Sequence, residues 1–129
     1  MAFLLDSHAL IWWFIDSPNL AAHACEQIQQ GDKTVFVSAA TAWEIATKHR
    51  LGKLPEVDAL IDDFGGHLQS QGFRQLAISA DHALAAGALD IPHRDPFDRM
   101  LIAQARAEGL TLISNERAFD AFGVERLWD

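Results

Sequence analysis

The sequence predicts a three-layer α/β/α domain around a central parallel sheet of four to five strands. Three observations carry that expectation. Short apolar runs rich in β-branched and aromatic residues alternate with stretches patterned for helices. Every join between them is a short turn, with no low-complexity linker or internal repeat. The strand-like runs are continuously apolar rather than alternating, as strands covered on both faces are. A chain of 129 residues, half of them hydrophobic, has material for a real core and is read as one domain spanning 1–129.

The elements follow in order. Ala2–Leu5 reads as a buried strand; Ser7 is placed to cap a helix through His8–Ile15, which Asp16-Ser17-Pro18 ends. A second helix, Leu20–Gln30, stops at Gly31, a left-handed C-terminal position. Thr34–Val37 is β-branched and aromatic, hence a strand, and Ser38 caps a helix running to about Leu51 before Gly52. Val57–Gln71 is one helix with Gly65-Gly66 as its weak point. Arg74–Ile78 is a short strand, and Ser79 caps Ala80–Gly87. The clearest helix is Pro96–Glu108, with Asp95 as N-cap, Pro96 at its first position and Gly109 past its end. Leu110–Ile113 is a strand, Ala118–Phe122 a helical turn, and Val124–Leu127 the last strand.

Composition excludes several classes. A formal charge of −8 argues against broad, nonspecific nucleic-acid binding, which needs a basic face, but not against a phosphate substrate. Lys48, His49, Arg50 and Lys53 cluster at one helix end, either as a solvated terminus complementing the dipole or as phosphate contacts. The single Cys25 rules out an internal disulfide and fits a reducing cytoplasm, as an inert buried thiol. No apolar run approaches the roughly 18 residues of a membrane span. The first residues enter a strand without a basic region, so no secretory signal is expected.

Four acids stand where separate elements begin or end: Asp6, Glu44, Asp98 and Glu116. Asp6 closes an apolar strand, Glu44 interrupts Ala42-Trp43-Ile45-Ala46, and Asp98 shares a helix face with Leu101, Ile102 and Ala105. Carboxylates are rarely buried alone because desolvating the charge is costly. In open α/β sheets, ligands lie beyond the carboxyl ends of the strands, where connections of this type bring Asp6, Glu44 and Glu116. The start of the Pro96 helix can reach the same rim. Several acids aimed at one spot repel each other unless a cation joins them, which suggests an oxygen-lined divalent-metal site that handles phosphates. Ordinary structural readings stand beside this one: a cap for Asp6, an i,i+4 pair with Lys48 for Glu44, a first-turn acid for Asp98.

The strings Leu4-Leu5-Asp6-Ser7-His8-Ala9-Leu10, Ser38-Ala39-Ala40-Thr41-Ala42-Trp43-Glu44-Ile45-Ala46 and Asp95-Pro96-Phe97-Asp98-Arg99-Met100-Leu101-Ile102-Ala103-Gln104-Ala105 resemble the PIN-domain family. More narrowly, they are similar to VapC-type toxins of bacterial toxin–antitoxin pairs, over essentially the whole chain. The resemblance implies a cytoplasmic endoribonuclease dependent on Mg²⁺ or Mn²⁺, restrained by a small antitoxin and often dimeric or in a larger toxin–antitoxin assembly. It implies in-line attack on the phosphodiester by metal-activated water, leaving a 5′-phosphate and a 3′-hydroxyl. The family acids map onto Asp6, Glu44 and Asp98. The fourth, usually Asp in a Thr-x-Asp turn, falls on Glu116 within Ser114-Asn115-Glu116, where both positions are altered. Asp95 reads first as a structural cap. Ser7, Lys48, Arg50, His93, Arg99, Ser114 and Asn115 are candidates to contact RNA or orient water, with turn capping or solvation as the plainer reading.

Rival readings are a PIN-like module without catalysis and a phosphoacceptor signalling domain. The latter would need paired acids after the first strand and a late lysine, and no lysine follows Lys53. Asp6-Ser7-His8 also breaks the Asp-x-Asp of haloacid-dehalogenase-type phosphatases. Trp12 and Trp13, adjacent on a helix and flanked by Ile11, Phe14 and Ile15, predict a face covered by a second copy or by the antitoxin.

Overall fold

Five parallel strands form one sheet: β1 (Ala2–Leu5), β2 (Val35–Ser38), β3 (Arg74–Leu76), β4 (Leu110–Ile113) and β5 (Arg126–Leu127), ordered β3-β2-β1-β4-β5. The computed structural model describes residues 2–129. Its helices are α1 (Ser7–Phe14), α2 (Ala22–Gln29), α3 (Ala39–Arg50), α4 (Asp58–Asp62), α5 (Phe64–Ser70), α6 (Ala80–Ala88) and α7 (Pro96–Glu108).

Alternation along the central strands divides the core. Phe3 and Leu5 of β1 pack on one face with α1, α2 and α3, while Leu4 packs on the other with Leu101, Ile102 and Ala105 of α7. β4 divides likewise, Ile113 on the first face and Leu110 and Leu112 on the second. That is the expected three-layer arrangement, with the sheet at the upper end of the expected strand count. Among the described residues, no helix is long and apolar enough to cross a membrane.

Three local expectations shift. Asp6, not Ser7, caps α1, accepting the Ala9 N–H at 2.8 Å, so the helix starts at Ser7. The stretch read as one helix over Val57–Gln71 is a 3-10 turn, Pro55–Val57, followed by α4 and α5. The break falls at Asp63 rather than at the glycines, because its carboxylate caps α5 through the Gly66 N–H. A Cβ at residue 66 would push that carboxylate aside, so a side chain there would come at the expense of the cap. Two strands are shorter than expected: β3 ends at Leu76 rather than Ile78, and the last starts at Arg126 rather than Val124.

The tryptophans of α1 are largely covered by their own chain. Trp12 lies between His8 and Trp128, and Trp13 packs on Phe73 and donates its indole N–H to Gln71 at 3.1 Å. The prominent exposed apolar side chains are elsewhere, Trp43 on α3 and Leu84 on α6.

A second polar cluster fastens α6 to α7. Ser79 and His82 form a reciprocal capping box, so His82 Nδ1 accepts and its Nε2–H donates to Glu108 at 3.0 Å. Gln104, fully buried on α7, donates to the Ala77 carbonyl and to the same Nδ1.

Candidate active site

Parallel pairing sets Leu5 level with Val37 on one side and Ile113 on the other. The residues just past β1, β2 and β4 therefore share one rim of the sheet, and the Asp6 N–H is tied to the Ile113 carbonyl at 3.1 Å. The candidate side chains Asp6, Ser114 and Glu116 follow the strand ends, and Glu44 and Asp98 come from α3 and α7.

Asp6 is buried as well as capping. Burial pushes its carboxyl above the usual range, opposed by the neighbouring Ser114 hydroxyl, the Ala9 N–H and the charge of His8; the charge of Glu44 adds to the rise. Glu44 lies in the second turn of α3 and is also buried, at 4% exposure. Lys48, one turn on, donates to it at 2.7 Å with its own side chain a third exposed. The inward-facing and ion-paired readings of Glu44 are thus both true.

Asp98 sits in the first turn of α7, below the cap made by Asp95, which accepts the Phe97 and Asp98 N–H groups at 2.9 and 3.1 Å. Burial raises the Asp98 carboxyl to about 6; the His93 hydrogen bond opposes this, and the charges of Asp95 and Glu44 add to it. The carboxylate can only accept, so His93 Nε2–H is the donor, at 2.8 Å. Glu44 is therefore felt at both Asp6 and Asp98, which makes the three acids one electrostatic unit.

The remaining expected residues are placed unequally. Ser114 is buried at the end of β4, and its hydroxyl accepts the Glu116 N–H at 2.9 Å. Glu116 is exposed and opens the 3-10 turn Arg117–Phe122; Asn115 is exposed beside it. Ser7 is buried in the first turn of α1, and Arg50 is exposed at the far end of α3. Arg99 does not join the acids. All five of its N–H donors go to carbonyls at the end of α6 and in the α6–α7 connection: Nε to Ala86, Nη1 to Ile91 and His93, Nη2 to Gly87 and Leu89.

Two contributors had no clear signal in the sequence. Thr41 lies three positions before Glu44 on the same face of α3, fully buried, and its hydroxyl has no hydrogen-bond partner. Arg126 donates through Nη1 to the Ser114 carbonyl at 3.0 Å, fixing the turn that carries Glu116, while Nε and Nη2 hold Asp120. Thr41 was legible only as i−3 to an acid; Arg126 reads as an ordinary strand residue.

Among the described residues, no three acidic, histidine or cysteine side chains are gathered closely enough to cage a metal as they stand. Two of the acids are instead clasped individually, Glu44 by Lys48 and Asp98 by His93. The donor set nonetheless suits a hard divalent cation. It is all carboxylate oxygen, burial raises Asp6 and Asp98 with the charge of Glu44 adding to the rise, and an orphaned hydroxyl lies on the Glu44 face.

Comparison with known proteins places this geometry. Residues 3–125 match the model of the PIN domain. The chain is 26% identical over 120 residues to a protein named Ribonuclease VapC22 from Mycobacterium tuberculosis, covering 88% of this chain and 86% of the relative. Among solved structures it is similar to VapBC2 of Rickettsia felis bound to a promoter DNA fragment, with a TM-score of 0.74 at 16% identity over the full length of both chains. It also resembles VapC20 of Mycobacterium tuberculosis, a sarcin-ricin-loop-cleaving toxin, with a TM-score of 0.69 at 15% identity, covering 99% of this chain and 100% of that one. At such identities the structural likeness shows the fold alone.

Proposed function

This chain belongs to the PIN-domain family, and on that premise we propose that it is a Mg²⁺- or Mn²⁺-dependent endoribonuclease, the toxin of a toxin–antitoxin pair. The observation that carries the proposal is the electrostatic unit of Asp6, Glu44 and Asp98, three carboxylates brought from three elements to one rim, two of them raised by burial. The relatives named as VapC ribonucleases support the activity.

Asp6, Glu44 and Asp98 would hold the cation, with Glu116 reaching it through water from its exposed turn. The cation's contribution when bound is to polarise the scissile phosphate and lower the pKa of the attacking water. The chain does the rest. Ser114 braces Asp6, and Asp95 fixes the first turn of α7 so that Asp98 faces the rim. Lys48 and His93 stand at the acids, where they could meet a phosphate oxygen. Ser7 and Asn115 border the rim, Arg50 lies at the outer end of α3, and Arg99 holds the connection that carries His93. In the reaction the water oxygen bonds to phosphorus and the P–O3′ bond breaks. The proton the water gives up ends on the departing oxygen, leaving a 5′-phosphate and a 3′-hydroxyl.

The solved VapBC complexes among the structural relatives support a cognate antitoxin as partner; on this reading the pair works in the cytoplasm, as a toxin dimer or a larger toxin–antitoxin assembly. The test is to sequence RNA ends after brief expression of the chain beside an Asp6→Asn control. New 5′-phosphate ends at defined sites, absent from the control, are expected. Identical end profiles from the two proteins would leave the chain a binding module.

A further inference from the structure

Two pairs of side chains link α3 to α7, and they differ in kind. Glu44 and Asp98 feel each other's charge out of full solvent. Their immediate chain neighbours, Trp43 and Phe97, meet as rings, with centroids 4.8 Å apart and planes at 80°. Consecutive Cα atoms are about 3.8 Å apart, so the aromatic pair springs from the backbone one step from the acids. The edge-to-face contact fixes the indole but covers little of it. Trp43 stays 62% exposed, although so large an apolar ring is ordinarily well covered. It lines a pocket of about 200 Å³ with Ile78, Pro96, Phe97, Arg99 and Met100. That is below the range for drug-sized ligands and suits one flat ring. Among the described residues, Arg99 is the one charged side chain in the lining, and its donors are already taken by carbonyls. What the pocket offers an occupant is ring faces and aliphatic groups.

The charge of the chain sharpens the choice of occupant. Nucleic-acid binding usually draws most of its affinity from lysine and arginine at the phosphates, and a chain at −8 has little to give that way. Bases stacked on aromatic rings supply affinity by another route, and every base has a face to stack. A base is joined to its phosphate through a single sugar, so a phosphate at the acids brings its base to the neighbouring rings. We propose that Trp43, braced by Phe97, is a stacking platform for an unpaired base beside the phosphate that is cut. The substrate is then single-stranded RNA or an unpaired loop, because a base inside a duplex has both faces covered by its neighbours. This rests on the ribonuclease reading above and deepens it.

The experiment measures binding apart from cutting. Fluorescence anisotropy of a labelled single-stranded oligoribonucleotide of mixed sequence, with no divalent cation added, gives Kd for the wild type, Trp43→Ala, Trp43→Phe, Leu84→Ala and Asp6→Asn. The same strand annealed to its complement is the paired probe. Trp43→Ala should weaken single-strand binding about tenfold or more, the scale of one stacked base. The slope of log Kd against log salt should not change, since no phosphate contact is lost. Trp43→Phe keeps a stacking face and should stay within about threefold of wild type. Leu84→Ala, exposed on α6 outside the pocket, should bind as wild type does. The duplex should bind weakly to all of them. If Trp43→Ala does not fold, Trp43→Leu keeps apolar bulk without a ring face, and the same loss is expected of it. A wild type that binds no single strand would overturn the proposal. So would Trp43→Ala binding as wild type, Trp43→Phe losing as much as Trp43→Ala, or Leu84→Ala losing as much as either. Self-association lost in Trp43→Ala by analytical ultracentrifugation, with RNA affinity kept, would give the face to a second copy instead. Binding that depends on Trp43 in a protein that cuts no better than Asp6→Asn defeats the nuclease reading and leaves the platform standing.

Discussion

Asp98 and Arg99 are neighbours in the first turn of α7 and end in opposite electrostatic settings. Arg99 turns toward the α6–α7 connection and spends every donor on a carbonyl. With the Ser79–His82–Gln104 cluster nearby, it belongs to a polar region that closes on itself, save for the Gln104 amide oxygen. Asp98 is partly buried beside the charges of Asp95 and Glu44, which add to the burial that raises its carboxyl, with His93 opposing them. One region is polar for stability, the other polar at a cost to stability. The second is what functional sites look like when their ligand supplies the missing charge.

The largest effect expected from breaking this contrast is at Asp98. Asp98→Asn should lower RNA cleavage by about a thousandfold or more, in line with losing a principal electrostatic contact. It should leave the metal-free melting temperature equal or higher. The pH dependence of stability gives the sign. The folded carboxyl titrates near 6 against an ordinary value of 3.8, so the folded state holds the proton more tightly than the unfolded one. The metal-free wild type should therefore lose stability as pH rises through 3.8 to about 6 by an increment missing in the Asn variant. Paired denaturant melts across that window check it.

Arg99→Lys tests the closed region. A lysine keeps the charge but cannot spread five donors over the Ala86, Gly87, Leu89, Ile91 and His93 carbonyls. Loss of about 2–4 kcal/mol is expected, read by chemical denaturation, with cleavage per folded molecule at low temperature within about tenfold of wild type. A stable but inactive Arg99→Lys would move Arg99 into the substrate site.

How legible each region was in the sequence follows the same division. The bounds of α7 were plain because Asp95, Pro96 and Gly109 each mark an end by independent local chemistry. The acids at Asp6, Glu44 and Asp98 stood out as charges in apolar company, while a cap, an i,i+4 pair and a first-turn acid remained open readings of each taken alone. Arg99 was not, since its targets are backbone carbonyls at the end of α6 and in the irregular connection after it, which no spacing encodes. The split between α4 and α5 was hidden for a similar reason: it depends on one non-helical residue, Asp63, capping a turn that the helical pattern runs straight through. For α1 the apolar pattern was read as a partner face, but Trp128 and Phe73, distant in sequence, supply much of the cover.

A smaller effect is expected at Thr41, the orphaned hydroxyl beside Glu44. Thr41→Val removes a buried polar atom without a partner, a penalty of about 1–3 kcal/mol. The metal-free protein should melt a few degrees higher and cleave several-fold more slowly. A melting temperature that falls would mean that the hydroxyl is already satisfied. The smallest effect is expected at Glu116, exposed on its turn. Glu116→Gln should cost only a few-fold in rate, most visible at low Mg²⁺, and Glu116→Asp should be neutral or better. Loss equal to that of Asp98→Asn would make Glu116 a primary ligand.

The central claim is that the rim is polar at a cost because a divalent cation completes it. Thermal melts of the wild type and Asp6→Asn with increasing Mn²⁺ test it without reference to any RNA. A cation that binds the folded state alone raises stability with the logarithm of its concentration once past its dissociation constant. The wild type should therefore climb steadily with Mn²⁺ while Asp6→Asn stays flat. Equal shifts in both proteins, or none in either, would contradict the account.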